Sequence, residues 1–423
     1  MKRYTVLYPV AYFSPEITAS SHLENDRFEV FKGEGIHTEV VTPRPCRGLT
    51  EEEYELYRDK MTEVLYDGTV TVRRFNLFRE GHNPLARALR YILMECREYF
   101  ICRKAEGIDL ILCGSTPPIH PVMCAHVKKH LSRRLDKAVP MVFIVQDLFP
   151  ESLVNAGICR RGSLMWKIGK RMMRAAYRHS DAIITINDDF KRAIIENGVD
   201  ADKIVVARNW VNTDDVYPVP RAQNSLFDSC GLDRSLFYVS YSGNIGHSQN
   251  LGMLLQAAKK LEKQLPRLRF LLIGEGAARE QLKSDIERER LGNVIMLPFQ
   301  DYAHIAEVFC LGDIGLIISK PGVGVSSVPS KTWSIMAAKR PIIASFDLDS
   351  ELSRTIDASR AGIVVAPEDV EGFCDAIVRL YRDADLRKCL GQNGRAYLSE
   401  HLDKTASIGK YVNTIKRLVD LGG

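Results

Sequence analysis

Short apolar strands alternate with helices along the chain, and this alternation constrains the fold more than any other feature. The strand candidates of the first half are continuous apolar runs, which are typical of parallel strands covered on both faces. Predicted helices separate most of them, including residues 84–106 and 119–137. The predicted strands are residues 4–8, 38–42, 69–75, 108–113, 140–145, 181–187 and 203–209.

The alternation restarts after the polar, proline-containing stretch at residues 210–220. Six further strands begin within the segments 237–246, 268–276, 293–299, 313–319, 341–345 and 361–367. A length of 423 residues suits two such domains better than one core. We therefore predict two facing Rossmann-like, doubly wound α/β domains with a cleft between them, at residues 1–208 and 209–404. A last helix at about 405–423 is predicted to pack on the first domain.

Ligands of open α/β sheets bind beyond the carboxyl ends of the strands. The loops at those ends are therefore the candidates for a site. They are residues 14–16, 114–118, 146–147, 242–246, 274–276 and 326–331.

Three of these loops suit a diphosphate. The turn SGNIG (242–246) and the turn GEG (274–276) let backbone approach a ligand. Ser330 is positioned to cap a helix whose first residue is Lys331, where a cation opposes the helix dipole unless an anion is bound. Neither a Walker loop nor the G-x-G-x-x-G fingerprint occurs, which argues against NTP hydrolysis and against a dinucleotide.

Several titratable residues in the first half of the chain could have either a functional or a structural role. Asp147 follows an apolar strand, where it could accept a proton from a hydroxyl or cap the next helix. His120, His126 and His130 share one helical stretch, but without an H-E-x-x-H pattern a packing or surface role is favoured over metal binding. The ten cysteines include no C-x-x-C pair, so they are expected to be reduced core residues.

Positive charge is concentrated in one sector. Between residues 84 and 178 there are 17 Lys and Arg against 7 Asp and Glu, which indicates a polyanion or an anionic membrane as partner. The sources are residues 85–104 and 160–179, read as interfacial helices or as core helices with a solvated basic face. A nucleic-acid partner is less favoured. With no spanning segment or signal peptide apparent, we expect a cytoplasmic protein at the membrane face.

Several segments resemble the GT-B glycosyltransferases of the retaining family-four type. They are VQDLFPESL (145–153), HSDAIITINDDFKRAI (179–194), YSGNIG (241–246), FLLIGEG (270–276) and VPSKTWSIMAAKRPIIAS (328–345). The nearest branch builds bacterial capsule, O-antigen and exopolysaccharide. The resemblance implies metal-independent, cofactor-free transfer of a sugar, commonly an N-acetylhexosamine from a UDP-sugar. The implied acceptor is a polyprenyl-diphosphate-linked saccharide at the cytoplasmic membrane face.

The resemblance also implies roles for individual residues. Asp147 and Lys331 would be the catalytic groups. The donor-binding residues would be Gly243, Asn244, Gly246, Glu275, Pro298, Phe299, Ser330, Lys331 and Ser334. The acceptor side would include Ser14, Glu16, Ser115 and Thr116.

This sequence departs from the family pattern in the most specific segment. Many relatives carry two glutamates where Ser326 and Ser334 stand, and Glu368 or Asp369 could replace them. The usual glycine after MAA is Lys339. The missing glutamates leave open a non-catalytic nucleotide-sugar-binding subunit. A sugar-nucleotide epimerase on the same scaffold is a further alternative, but it needs paired acid/base carboxylates that the sequence does not show.

Overall fold

A computed structural model describes residues 3–16, 21–47, 49–80, 84–155, 157–324, 329–402 and 404–422. The chain forms two compact units of mixed strands and helices. The first comprises Met1–Glu151, Cys159–Arg208 and Thr405–Gly423, and the second comprises Ser152–Ile158 and Asn209–Lys404.

The first unit is built on an eight-stranded sheet of order β3-β4-β2-β1-β5-β6-β7-β8. Its strands are β1 (Tyr4–Pro9), β2 (Ile36–Pro43), β3 (Thr62–Leu65), β4 (Val70–Phe75), β5 (Leu110–Cys113), β6 (Met141–Val145), β7 (Ala182–Thr185) and β8 (Ile204–Val206). All neighbours pair in parallel except β3, which runs antiparallel to β4 at the sheet edge. The prediction of a purely parallel sheet was therefore wrong at this edge.

The helices of the first half connect these strands. They are α1 (Ser21–Gly33), α2 (Glu51–Leu56), α3 (Pro84–Cys102), α4 (His120–Arg134), α5 (Glu151–Asn155), α6 (Leu164–His179) and α7 (Asp188–Glu196). Side chains cap several of them, as the sequence signals require. Thr50 and Glu53 form a capping box on α2, and Asn187 accepts a hydrogen bond from Phe190 N–H at the start of α7.

The second unit has a six-stranded, fully parallel sheet of order β11-β10-β9-β12-β13-β14. The strands are β9 (Phe237–Ser242), β10 (Leu268–Ile273), β11 (Val294–Leu297), β12 (Ile314–Ile318), β13 (Ile342–Ser345) and β14 (Gly362–Val365). The helices are α8 (Leu226–Ser229), α9 (Gly252–Leu261), α10 (Arg279–Glu289), α11 (Ile305–Leu311), α12 (Lys331–Ala337), α13 (Glu351–Ser359), α14 (Val370–Arg382) and α15 (Ala384–His401). All six predicted strands are confirmed, and β12 is buried along its whole length.

The last helix, α16 (Lys404–Gly422), belongs largely to the first unit. The ring of Tyr411 lies 5.4 Å from the buried guanidinium of Arg27, and Lys416 Nζ is 2.6 Å from Glu34 Oε2. Lys410 Nζ also donates to the carbonyl of Val206 at 2.7 Å. These contacts join the end of the chain to α1 and β8.

Lys339 ends helix α12 in the left-handed conformation, with φ +54°. Its N–H donates to Met336 O and the N–H of Arg340 donates to Ile335 O, the Schellman pattern that usually carries glycine. We expect Lys339→Gly to raise the free energy of unfolding by about 1 kcal/mol. Chemical denaturation measures this gain. Lys339→Ala retains the Cβ, so a similar gain in that control would contradict the explanation.

Candidate donor site in the second unit

The two glycine turns of the second unit lie side by side. The turn at 242–246 follows β9, where the strand order reverses between β10 and β12, and such a reversal is where open sheets bind ligands. Gly243 N–H donates to Ile273 O at 2.9 Å, and Ile245 N–H donates to Glu275 O at 2.8 Å. The structure therefore brings both predicted turns to one edge of the sheet.

Glycine is required at the contact between these turns. Gly243 and Gly274 have φ of +137° and +144°, which other residues rarely adopt. A Cβ on Gly274 would overlap the carbonyl oxygen of Gly243, and one on Gly276 would overlap that of Ile245. The turns therefore pack backbone against backbone.

Lys331, the first residue of α12, reaches into this arrangement. Its ammonium lies 3.5 Å from the centroid of the Tyr241 ring, and a Cβ on Gly243 would stand 2.9 Å from Nζ. Within the described residues no carboxylate pairs with it. Burial lowers the pKa of Lys331 to about 7. A desolvated cation without a counter-ion is costly, and an anionic ligand at the turn would offset that cost.

Tyr241 is a residue that the sequence did not identify as part of the site. It is fully buried in β9, and its hydroxyl donates to the carbonyl of Asn244 at 2.7 Å. The Tyr241 ring thus packs against the Lys331 ammonium, and the Tyr241 hydroxyl holds the turn that follows β9. In the sequence, only the position of Tyr241 two residues before Gly243 could have indicated that it belongs to the site.

The remaining predicted donor residues divide by exposure. Asn244, Glu275, Pro298 and Phe299 are exposed at the ends of β9, β10 and β11. Gly246 N–H is already used, because it donates to Gln249 Oε1 at 3.1 Å. Three predicted residues, Asn244, Pro298 and Phe299, therefore present free surface at this edge, whereas the Glu275 carboxylate pairs with Arg279 Nε at 3.3 Å and the amide of Gly246 is engaged.

The serines of the third loop differ from expectation. Ser330 is exposed and has helical backbone angles, and its side chain makes no capping hydrogen bond. The predicted cap was wrong because the turn begins one residue earlier: Pro329 O accepts from both the N–H and the hydroxyl of Thr332. Ser334 lies within α12, and Ser326 is outside the described residues.

The two suggested replacements for the missing glutamates lie before α14. Asp369 caps this helix by accepting a hydrogen bond from Gly372 N–H at 2.9 Å. Glu368 adopts a positive φ of +68°. The carboxylate of Asp369 therefore has a structural partner of its own.

In the first unit, Asp147 and Glu16 differ in how far they are engaged. Asp147 does not cap α5, which starts four residues later, and it has no hydrogen-bond or ion-pair partner among the described residues. Surrounding protein atoms desolvate its carboxylate and raise its pKa, although the residue remains accessible. Glu16 is buried and accepts hydrogen bonds from the N–H groups of Cys46 and Arg47, both at 2.9 Å. Asp147 is thus available to a ligand, whereas Glu16 secures a loop.

The other predicted acceptor residues lie in two loops after strands. Ser14 is exposed, and its carbonyl accepts from Arg74 Nη2 at 2.6 Å. Ser115 and Thr116 connect β5 to α4 and are at least partly accessible.

A basic groove of about 1020 Å³ lies along α6 in the first unit. We call it the α6 groove, and its cationic lining residues are Arg161, Lys167, Lys170, Arg171, Arg174 and Arg178. Lys170 pairs with Glu151 at 3.0 Å, whereas the other five have no ion-pair partner in the described chain. These charges exceed what the protein itself neutralises, so the groove suits an anion.

Large apolar side chains are exposed on two helices of the first unit. Leu85, Leu89, Ile92, Leu93 and Phe100 form a stripe on α3, and Leu164, Met165 and Ile168 are exposed on α6. Met173, Ala176 and Tyr177 of α6 are buried, so this helix packs on the core along one side and exposes apolar residues near its start. No described helix has both the length and the apolar character that a membrane crossing requires.

Two family models match the chain, one on each side of the predicted linker. The model described as Glycosyltransferase Family 4 matches residues 29–215, and the one described as Glycosyl transferases group 1 matches residues 237–383. The chain is a GT-B glycosyltransferase. The predicted fold class is confirmed.

Relatives and a solved structure agree with this assignment. A probable glycosyltransferase, WbjE of Pseudomonas aeruginosa, is 26% identical over 75% of this chain and 76% of its own. A putative colanic acid biosynthesis glycosyl transferase, WcaI of Escherichia coli K12, is 24% identical over 96% of this chain and 98% of its own. The structure of Anabaena HepE in complex with UDP-glucose has a TM-score of 0.70 at 14% identity, covering 98% of this chain and 99% of that one.

Proposed function

We propose that this transferase moves a sugar, with retention of configuration, from a UDP-sugar to a lipid-linked saccharide in surface-polysaccharide biosynthesis. An N-acetylhexosamine is the preferred donor sugar. The observation that carries the proposal is the ammonium of Lys331, held against the turn at Gly243 without a carboxylate partner in the described chain. Support comes from HepE, whose structure contains UDP-glucose, and from a relative named for colanic acid biosynthesis.

The proposed chemistry follows from where positive charge is needed. Transfer breaks the bond between the anomeric carbon and the diphosphate oxygen, and negative charge develops on that oxygen. Lys331 would stabilise this charge. A metal ion is not required for this step, because the lysine supplies the charge. The acceptor hydroxyl attacks from the face that the diphosphate leaves, its oxygen forms the new bond to the anomeric carbon, and its proton passes to the departing diphosphate oxygen.

In the first unit, Asp147 is the group proposed to orient the acceptor hydroxyl. Its carboxylate has no partner among the described residues and it follows β6 directly. The α6 groove and the exposed apolar stripe of α3 are proposed to hold this unit against an anionic membrane, where a lipid-linked acceptor resides.

The experiment is a screen of UDP-sugars with and without a polyprenyl-diphosphate-linked saccharide. We expect UDP release that depends on the acceptor, with UDP-N-acetylglucosamine among the active donors, measured by coupled UDP detection. NMR of the product gives the anomeric configuration. Formation of a 2-epimer without acceptor would identify an epimerase, and UDP-sugar binding without turnover would identify a binding subunit. Either result overturns the proposal.

A further inference from the structure

A cluster of ionisable groups is buried in the first unit, away from the proposed donor site. Glu95 and Glu98 come from α3 and His120 is the first residue of α4, and their exposed fractions are 5%, 0% and 0%. His120 Nδ1 lies 3.1 Å from Glu95 Oε1 and 3.4 Å from Glu98 Oε2. One imidazole nitrogen and two carboxylates therefore converge on one buried point.

The other nitrogen of His120 is already engaged. Nε2 donates to the carbonyl of Pro9, at the end of β1, at 2.9 Å. A backbone carbonyl on one ring nitrogen is the usual support of a histidine that binds a metal through the other. The bond thus orients Nδ1 toward the two glutamates.

Glu98 shows that the protein alone does not complete this cluster. Both of its carboxylate oxygens are buried, and neither has a hydrogen-bond partner within the described residues. A buried carboxylate without donors is costly, and it is rare unless the group is paired or coordinates a metal.

We propose that Glu95, Glu98 and His120 Nδ1 bind one divalent first-row metal ion, with Zn²⁺ preferred and Mn²⁺ as the alternative ion. Metal–ligand bonds of about 2.1 Å, at tetrahedral to octahedral angles, separate neighbouring ligand atoms by roughly 3.0–3.5 Å. The observed separations of 3.1 and 3.4 Å fall in that range. An imidazole favours Zn²⁺, and the oxygen ligands also accept Mn²⁺.

Two buried thiols offer a second set of ligands around the same histidine. Cys113, Cys124 and His120 also lie close together, with Cys124 Sγ 3.6 Å from His120 Nε2. A thiolate site on this side would need to break the hydrogen bond from Nε2 to Pro9. The geometry therefore favours the carboxylate side.

The proposed ion has a structural role. Its ligands join α3 to the start of α4, directly after the loop that contains Ser115 and Thr116. The site is closed to solvent, which is typical of structural ions, whereas catalytic sites keep an open position. A packing or surface role for His120 was expected because no H-E-x-x-H pattern occurs. Glu95 and Glu98 lie 25 and 22 residues earlier in the chain, outside any such local pattern.

The test is the metal content of the full chain, purified without metal-affinity resin and analysed by plasma mass spectrometry. We expect about one Zn²⁺ or Mn²⁺ per chain, a lower Tm after chelation, and recovery of Tm on adding back the ion. Glu98→Gln keeps the side-chain shape and should lose most of the ion. His126→Ala should retain it, because His126 is exposed on the same helix.

Three outcomes would overturn the proposal. The first is a metal-free wild-type chain whose Tm does not respond to Zn²⁺ or Mn²⁺, which identifies a protonated His120–Glu95 pair instead. The second is equal metal loss in His126→Ala, which indicates adventitious surface binding. The third is loss of the ion in Cys124→Ser with retention in Glu98→Gln, which places it on the thiol side. All readouts are independent of transferase activity.

Discussion

Replacing Lys331 with methionine is expected to lower kcat/KM by about 10²–10³ while the protein stays folded. The lysine is proposed to stabilise charge on the departing diphosphate, and methionine fills a similar volume without charge. Initial rates with the active UDP-sugar measure the loss. Lys339→Ala removes an exposed lysine just after the same helix and should keep wild-type activity. Wild-type kcat/KM in folded Lys331→Met would remove the central claim.

The free energy of unfolding of Lys331→Met, compared with that of the wild type, is expected to depend on pH. The pKa of Lys331 is about 7 in the folded protein, against about 10.4 in an unfolded chain. Well below pH 7 both states hold the proton, so the wild type bears the full cost of a buried charge. Above pH 7 the folded state releases the proton and that cost fades toward pH 10. Lys331→Met should therefore be more stable than wild type at pH 6.5, by a margin that narrows toward pH 10.

Ligand binding provides an independent check of the same lysine. A diphosphate near Nζ favours the charged ammonium and raises its pKa above 7. At pH 8 the wild type should therefore take up a proton when UDP binds. Calorimetry in two buffers of different ionisation enthalpy measures this uptake, and Lys331→Met should show less. Equal uptake in both proteins would mean that another group titrates.

The sequence predicted the fold well because continuous apolar strands and their order along the chain can be recognised without knowing how the side chains pack. It missed β3, whose residues Thr62–Leu65 alternate between half-buried and exposed positions at the sheet edge. It also missed α2, although Thr50 and Glu53 carry a capping-box signature. Short edge elements lack the repeated apolar positions on which periodicity depends.

The candidate site was predictable in outline but not in its electrostatics. Glycines after strands indicated the turns, and their contact followed from strand order. The ring of Tyr241 beneath Lys331 depends on packing across the sheet, which no local pattern reports. For Ser330 the local pattern was misleading. A serine before a helix favours an N-cap, but Pro329 O accepts the hydrogen bonds from Thr332 and Ser330 caps nothing. Likewise, Glu95, Glu98 and His120 become neighbours only when α3 packs on α4.

The α6 groove leads to the second large expected effect, which is the loss of binding to anionic vesicles. Each basic residue near a membrane surface contributes about 1 kcal/mol, so Arg171→Ala/Arg174→Ala should weaken binding by roughly 30-fold. Sedimentation with phosphatidylglycerol-containing vesicles measures the partition constant. Binding of the wild type should also weaken between low and physiological salt, because exposed charges are screened.

Matched variants test whether vesicle binding depends on where the positive charge lies or only on the net charge of the protein. Lys263→Ala/Arg267→Ala removes the same charge from an exposed part of the second unit and should leave vesicle binding intact. Leu164→Ser/Ile168→Ser keeps the charge but removes exposed apolar area, and should weaken binding even at high salt. An equal loss in the second-unit control would reduce the effect to net charge. If the wild type does not bind the vesicles, or if its binding does not depend on salt, the α6 groove has no electrostatic role at a membrane. Its five unpaired cations would then be assigned to binding a soluble anion instead.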